Sequence, residues 1–169
     1  MAQGDIQAYE NAGAGKMGGS LKYYVAANST GADGTVSRIK AGEPVTKVAG
    51  AAGVLAAATN APTTTLRIVG IAAGTSTETA SVAGTVDVIP AVPGQLWLIT
   101  PDAPTSWDTQ AEYNALCGAR VLIKNTAGTY TILASDSASN GCVVEYIDIS
   151  RYPGKVAFSF NKLVDYAIV

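Results

Sequence analysis

The sequence predicts an all-β fold, mainly antiparallel, arranged as a small β-barrel or a sandwich, with one short helix and an extended N-terminal arm. Three observations predict it. From about residue 36 onward, short apolar pieces recur at close spacing, separated by clusters of Gly, Pro, Asn and Thr that punctuate strands and tight turns. Several pieces alternate with period two, most plainly Val156, Phe158 and Phe160 against Ala157 and Ser159. Only residues 110–116 join good helix formers to start and stop signals.

Residues 1–35 hold seven glycines among Ala, Ser and Asn. That composition buries too little apolar surface to order itself alone, so the segment is expected to be a flexible arm that orders by packing on something else. Its large side chains, Tyr9, Met17, Leu21, Tyr23 and Tyr24, are candidate partner contacts, with the last two as anchors. The β-rich domain is expected over residues 36–169, with a sub-boundary in the Pro-rich segment 90–104. It opens with strands at 36–39 and 45–48; between them Gly42 can take a positive φ, and Pro44 sets φ for the strand that follows. A Gly/Ala-rich link runs through Ala58. Residues 66–71 are apolar on both faces, which suits a strand buried on both sides or closing a small barrel. Residues 74–79 make a polar turn, and 82–89 a strand with Val86 and Val88 on one face, Thr85 and Asp87 on the other.

Pro90, Pro93, Pro101 and Pro104 bracket a strand over 95–99. Thr105-Ser106-Trp107-Asp108 has the form of a capping box ahead of the helix, and Gly118 fits its C′ position. Strands at 119–124 and 129–133 form a hairpin across Asn125-Thr126-Ala127-Gly128, with the Asn-first, Gly-last pattern of a type I turn. Residues 142–149 and 155–160 form a second pair, and 163–169 a final strand.

At 169 residues the chain is one domain or two small ones, long enough to bury roughly 70% of its unfolded surface. Charged residues are 14% of it against a usual ~25%, so the surface is rich in Thr, Ser and Gly and tolerant of close protein contact. A net charge of -2, with eleven Lys and Arg never adjacent, leaves no footprint for a phosphate backbone and argues against a nucleic-acid partner. Histidine is absent, which removes the commonest general base and the commonest transition-metal ligand. No run approaches the roughly 20 apolar residues of a membrane span, and no membrane partner is expected. The first residues lack a basic n-region and an apolar h-region, so the chain is expected to be made in the cytoplasm without a secretory signal.

Few motifs suggest chemistry. Gly13-Ala14-Gly15-Lys16-Met17-Gly18 spells the dinucleotide fingerprint, yet no strand leads in and no helix leads out, so it reads as a linker and no cofactor is expected. Asn28-Ser29-Thr30 has the form of a glycosylation acceptor, which a chain without a secretory signal would not present for modification. Cys117 and Cys142 fit no zinc spacing and no Cys-x-x-Cys motif; they are expected reduced and buried, with a disulfide across neighbouring strands as the other reading. Asp102, Asp108 and Glu112 form the best acidic cluster, the residue type that a glycosidase or a Ca²⁺ site needs. Helix capping accounts for Asp108 and Glu112, and a loop for Asp102, so no metal ligand and no catalytic residue is assigned. Among the aromatics, Trp97 suits the core of its strand, while Trp107 and Tyr113 divide between core and partner interface.

One further pattern lies between Ile39 and Val88. Ile39-Lys40-Ala41-Gly42-Glu43-Pro44-Val45, then Val69-Gly70-Ile71-Ala72, then Gly84-Thr85-Val86-Asp87-Val88 resembles the capsid decoration, or cement, proteins of tailed bacteriophages. In that family a Lys/Arg-Ala-Gly-x-x-Val turn, a Val-Gly-Ile-Ala strand and a Gly-x-Val strand build a small β-barrel or tulip-like domain. The resemblance covers residues 36–90, while the N-terminal arm and the β region after Pro90 depart from the smallest members. It implies a structural virion protein, not an enzyme, that binds the outer surface of a phage head. As a homo-oligomer, with a trimer favoured, it would link subunits of the phage major capsid protein against the pressure of packaged DNA, placing it on the capsid exterior. A glycan-binding β module, or a head fibre contacting the host surface, is the alternative class; it requires a shallow aromatic-lined groove. An enzyme ranks third for want of a nucleophile and base pair.

Overall fold

The computed structural model describes residues 6–8, 19–28, 38–47, 53–57, 61–62, 68–92, 94–133 and 141–161. Within them the elements run β1 (Gln7–Ala8), β2 (Leu21–Val25), β3 (Pro44–Lys47), β4 (Val54–Ala56), β5 (Ile68–Ala72), β6 (Gly84–Pro90), β7 (Leu96–Ile99), a 3-10 turn (Pro104–Ser106), α1 (Gln110–Leu116), β8 (Arg120–Thr126), β9 (Thr129–Leu133), β10 (Cys142–Glu145) and β11 (Val156–Phe160). They form two antiparallel sheets, a five-stranded one in the order β2-β6-β5-β3-β4 and a six-stranded one in the order β1-β7-β11-β10-β8-β9. The protein is therefore all-β with one short helix, as its apolar spacing predicts.

The five-stranded sheet is organised around β5, every residue of which is buried between β3 and β6. Two small residues let neighbouring backbone come close. A Cβ on Gly70 would stand 2.1 Å from the Ile89 carbonyl oxygen, and one on Gly84 2.2 Å from the Glu78 nitrogen. The turn before β3 has Gly42 at φ 84°, and the Glu43 N–H donates to the Lys40 carbonyl at 3.2 Å. This turn docks on the end of β5, for the Gly42 N–H donates to the Ala72 carbonyl and the Ala72 N–H to the Glu43 carbonyl, both at 2.9 Å. The buried Ser76 hydroxyl accepts from the Ile39 N–H at 2.8 Å and holds the chain entering the turn.

Two pieces of the segment expected to be an arm are built into the sheets. β2 pairs with β6 along its whole length, from Leu21 opposite Val88 to Val25 opposite Gly84, and Val25 is buried. Leu21, Tyr23 and Val25 alternate with Lys22 and Tyr24, a period-two pattern that the surrounding glycines mask. β1 pairs with β7 in the other sheet. Of the remaining expectations, the strand at 163–169 and residues 36–37 of the first expected strand lie outside the described residues; Ile39 is buried but belongs to no strand.

Each sheet curls until its edges touch at one point. Tyr24 and Gly53 form an isolated parallel bridge between β2 and the residue before β4. In the larger sheet the Ile132 N–H donates to the Thr100 carbonyl and the Asp102 N–H to the Ile132 carbonyl, both at 3.0 Å, which ties β9 to the chain leaving β7. Among the described residues no continuous ladder completes either circuit, so the expected barrel is replaced by two curled, open sheets.

The sheets share one hydrophobic cluster, and the chain between β4 and β5 stitches them together. The Ala57 carbonyl accepts from the Tyr130 hydroxyl at 2.8 Å and the Asn125 amide at 3.0 Å. Ala61 and Ile123 exchange main-chain hydrogen bonds of 2.9 and 2.7 Å, and the Gly141 N–H donates to the Pro62 carbonyl at 3.1 Å.

In the second half, the structure corrects three details. The helix cap is Thr109, whose hydroxyl accepts from the Glu112 N–H while the Glu112 carboxylate accepts from the Thr109 N–H; the box therefore lies one turn beyond Thr105. Gly118, at φ 84°, does follow the C-cap. The β8–β9 loop has positive φ at both central residues, Ala127 at 48° and Gly128 at 85°, the type I′ geometry that matches strand twist. Finally, β11 is buried on both faces, because it lies between β7 and β10 and Tyr113 of α1 covers Ala157.

These close approaches predict a sharp contrast among glycines. Gly70→Ala and Gly84→Ala should each lower unfolding free energy by about 3 kcal/mol or more, because the clashing atoms are backbone. Gly74→Ala, where nothing lies within 4 Å of the added carbon, should change it by less than about 0.5 kcal/mol. Urea unfolding of the three variants checks this.

Candidate functional site

The first candidate surface is the outer face of β2. Lys22 and Tyr24 share this face: Tyr24 is 50% exposed and Lys22 stands opposite Asp87 of β6, whereas Leu21, 38% exposed at the start of the strand, belongs to the other face with Tyr23 and Val25. Alternation turns Tyr23 the other way, against the core, where burial pushes its phenol pKa upward. Of the other arm candidates, Tyr9 and Met17 lie outside the described residues.

Trp107 and Tyr113 are core residues and offer no partner surface. They are 4% and 0% exposed and meet edge to face with ring centroids 5.9 Å apart. The Tyr113 hydroxyl donates to the Glu145 carbonyl at 2.7 Å and accepts from the Ala157 N–H at 2.9 Å, so one side chain fastens α1 across β10 and β11. Burial raises its pKa well above the ordinary 10.0. Beside it the Ser159 hydroxyl donates to the Glu145 carboxylate at 2.5 Å. A buried serine held by a carboxylate, with no lysine or histidine in that contact, is a structural pair.

The acidic trio does not converge. Asp102 pairs with Lys124 at 3.5 Å, whereas Asp108 and Glu112 sit together at the start of α1. There the hydrogen bond with Glu112 raises the Asp108 pKa, and the Thr109 hydroxyl, followed by Asp108, lowers that of Glu112. Among the described residues no group of three or more Asp, Glu, Cys or His is placed to hold a metal ion. Both cysteines are free. Burial raises both thiol pKa values, most strongly for the fully enclosed Cys142.

A groove of about 280 Å³ lies where the chain after β7 meets the β8–β9 hairpin, lined by Thr100, Asp102, Lys124, Thr126, Thr129 and Thr131. Pro101 and Pro104 complete a lining of mixed polarity that contains no aromatic residue. No family model matches the chain, and no curated protein or solved structure matches it.

Three surface or buried features escape sequence reasoning. Tyr146 and Val82 are strongly exposed, and Glu78 is buried with no hydrogen-bond partner for its carboxylate. A lone Glu within a Thr-rich loop carries no signal of burial, since enclosure comes from distant chain. The sites together offer contact surfaces and a threonine-lined groove.

Tyr113 and Cys142 predict loss of stability in alkali. Folding raises both pKa values, so the folded chain retains protons that the unfolded chain has released. Their contribution is complete below the ordinary values of 9.0 for the thiol and 10.0 for the phenol and is lost as pH rises beyond them. Thermal melts should fall above about pH 9. Tyr113→Phe should cost about 1–3 kcal/mol at neutral pH, by stranding the Ala157 N–H, and should flatten the decline above about pH 10.

Proposed function

We propose that this chain is a structural protein of a tailed-phage virion that binds the outside of the head and links subunits of the major capsid protein. The observation that carries the reading is the meeting of its three family-like segments. The Lys40–Glu43 turn is hydrogen-bonded to Ala72 of β5, and β5 is paired with β6. Segments distant in sequence thus meet in one small curled, open β-sheet, and their meeting supports the reading.

Low charge supports attachment by shape and apolar contact, because a weakly charged surface gives little electrostatic steering. Tyr24, on the outer face of β2, is the contact of choice, presented by a strand that is already ordered. The protein acts as a homo-oligomer, with a trimer the favoured form.

Purified protein added to undecorated tailed-phage heads should bind and raise their resistance to heat. Binding should persist in ~1 M salt, where screening acts within about 3 Å. Tyr24→Ala, at a half-exposed position, should weaken it about 30-fold, the effect of losing an aromatic anchor. Heads that neither bind the protein nor gain stability, together with a positive glycan array, would replace this reading with the sugar-binding one.

A further inference from the structure

β1 is held to β7 by two register pairs, Gln7 with Leu98 and Ala8 with Trp97, and by the buried side chain of Ile6. Its seat is bounded: farther along, Thr100 and Asp102 are already bonded to Ile132, so the free length of the β7 edge suits a strand as short as this one. Twelve residues, 9–20, connect β1 to β2. Fully stretched, such a connection spans up to about 40 Å. The strand therefore joins one sheet while the chain after it enters the other.

We propose that β1 is an exchangeable strand, and that the edge of β7 also accepts residues 6–8 of a second copy of this chain. Exchange preserves every contact, because the donated strand and its seat are the same residues in either arrangement. The two arrangements differ in the entropy of closing the connection and not in how the strand packs. A connection of this length holds its own strand at a local concentration on the order of millimolar. Dilute copies therefore close on themselves, and copies crowded beyond that concentration trade strands. So small an attachment opens more readily than the four-pair ladder of β7 with β11 beside it. If each copy passes β1 to the next in one rotational sense, the contact is heterologous and can close into a ring. The inference goes beyond the capsid reading and holds whether or not the chain binds a phage head.

The test places Gln7→Cys and Leu98→Cys, an observed register pair, in a Cys117→Ser chain whose remaining native thiol, Cys142, is buried. After oxidation across a concentration series, non-reducing gels should show intermolecular disulfides rising at least about tenfold from micromolar to millimolar protein. A bond that stays within the chain at millimolar concentration overturns the proposal. Because Leu98 is buried and its replacement can unfold the chain, sedimentation of the unsubstituted protein supplies a second readout. An oligomer at millimolar concentration that Ile6→Asp dissociates supports strand exchange. A monomer throughout, or an oligomer that survives Ile6→Asp, overturns it.

Discussion

The reciprocal hydrogen bonds between Ala61 and Ile123 are the constraint on which the rest of the structure depends. They sit at the centre of the stitch, with Ala57 and Pro62 on either side, that joins two sheets each having little apolar surface for its length. With them the connection after β4 enters the second sheet, the Ala57 carbonyl takes two donors from β8 and β9, and the buried residues of both sheets form a single cluster. The curl of each sheet follows from the same economy of length. Strands of two to seven residues twist strongly and leave edges to be covered, and here the edges cover each other at Tyr24–Gly53 and at Ile132.

Most of the fold was legible because local chemistry and global packing agree in it. The apolar runs around Ile71, Val86, Trp97 and Ile123 are strands, Gly42 and Gly118 take the positive φ their turns need, and Gln110–Leu116 is the helix. The misses share a cause: they depend on contacts that no local window contains. β4 is three residues in an Ala-rich stretch and becomes a strand by pairing with β3. β2 hides among glycines and becomes one through β6. The burial of Ser159 and Ala157, which alternate with aromatics and so look solvent-facing, comes from Tyr113 and from two flanking strands.

The candidate site was less legible, and for a related reason. Trp107 and Tyr113 have the size of interface anchors, but size alone does not tell which side of a helix faces the core. Their aromatic contact and the two hydrogen bonds of the Tyr113 hydroxyl commit them to holding α1 in place. Tyr24 remains half exposed on the outer face of β2, a strand that pairs with β6 along its length and, among the described residues, meets the chain on its other side at one bridge. Asp102, Asp108 and Glu112 are close in sequence and serve different local tasks, an ion pair and a helix start.

The stitch between Ala61 and Ile123 also has a consequence for synthesis. Sixty-two positions separate the two residues, and at about 5–20 residues per second the second emerges roughly 3–12 seconds after the first. Throughout that interval the nascent first sheet lacks the cover that β8 and β9 provide, and few charges guard it against neighbouring chains. The yield of native protein in a cell is thus set by how well this waiting half-structure avoids sticking, a kinetic quantity separate from the stability of the finished fold.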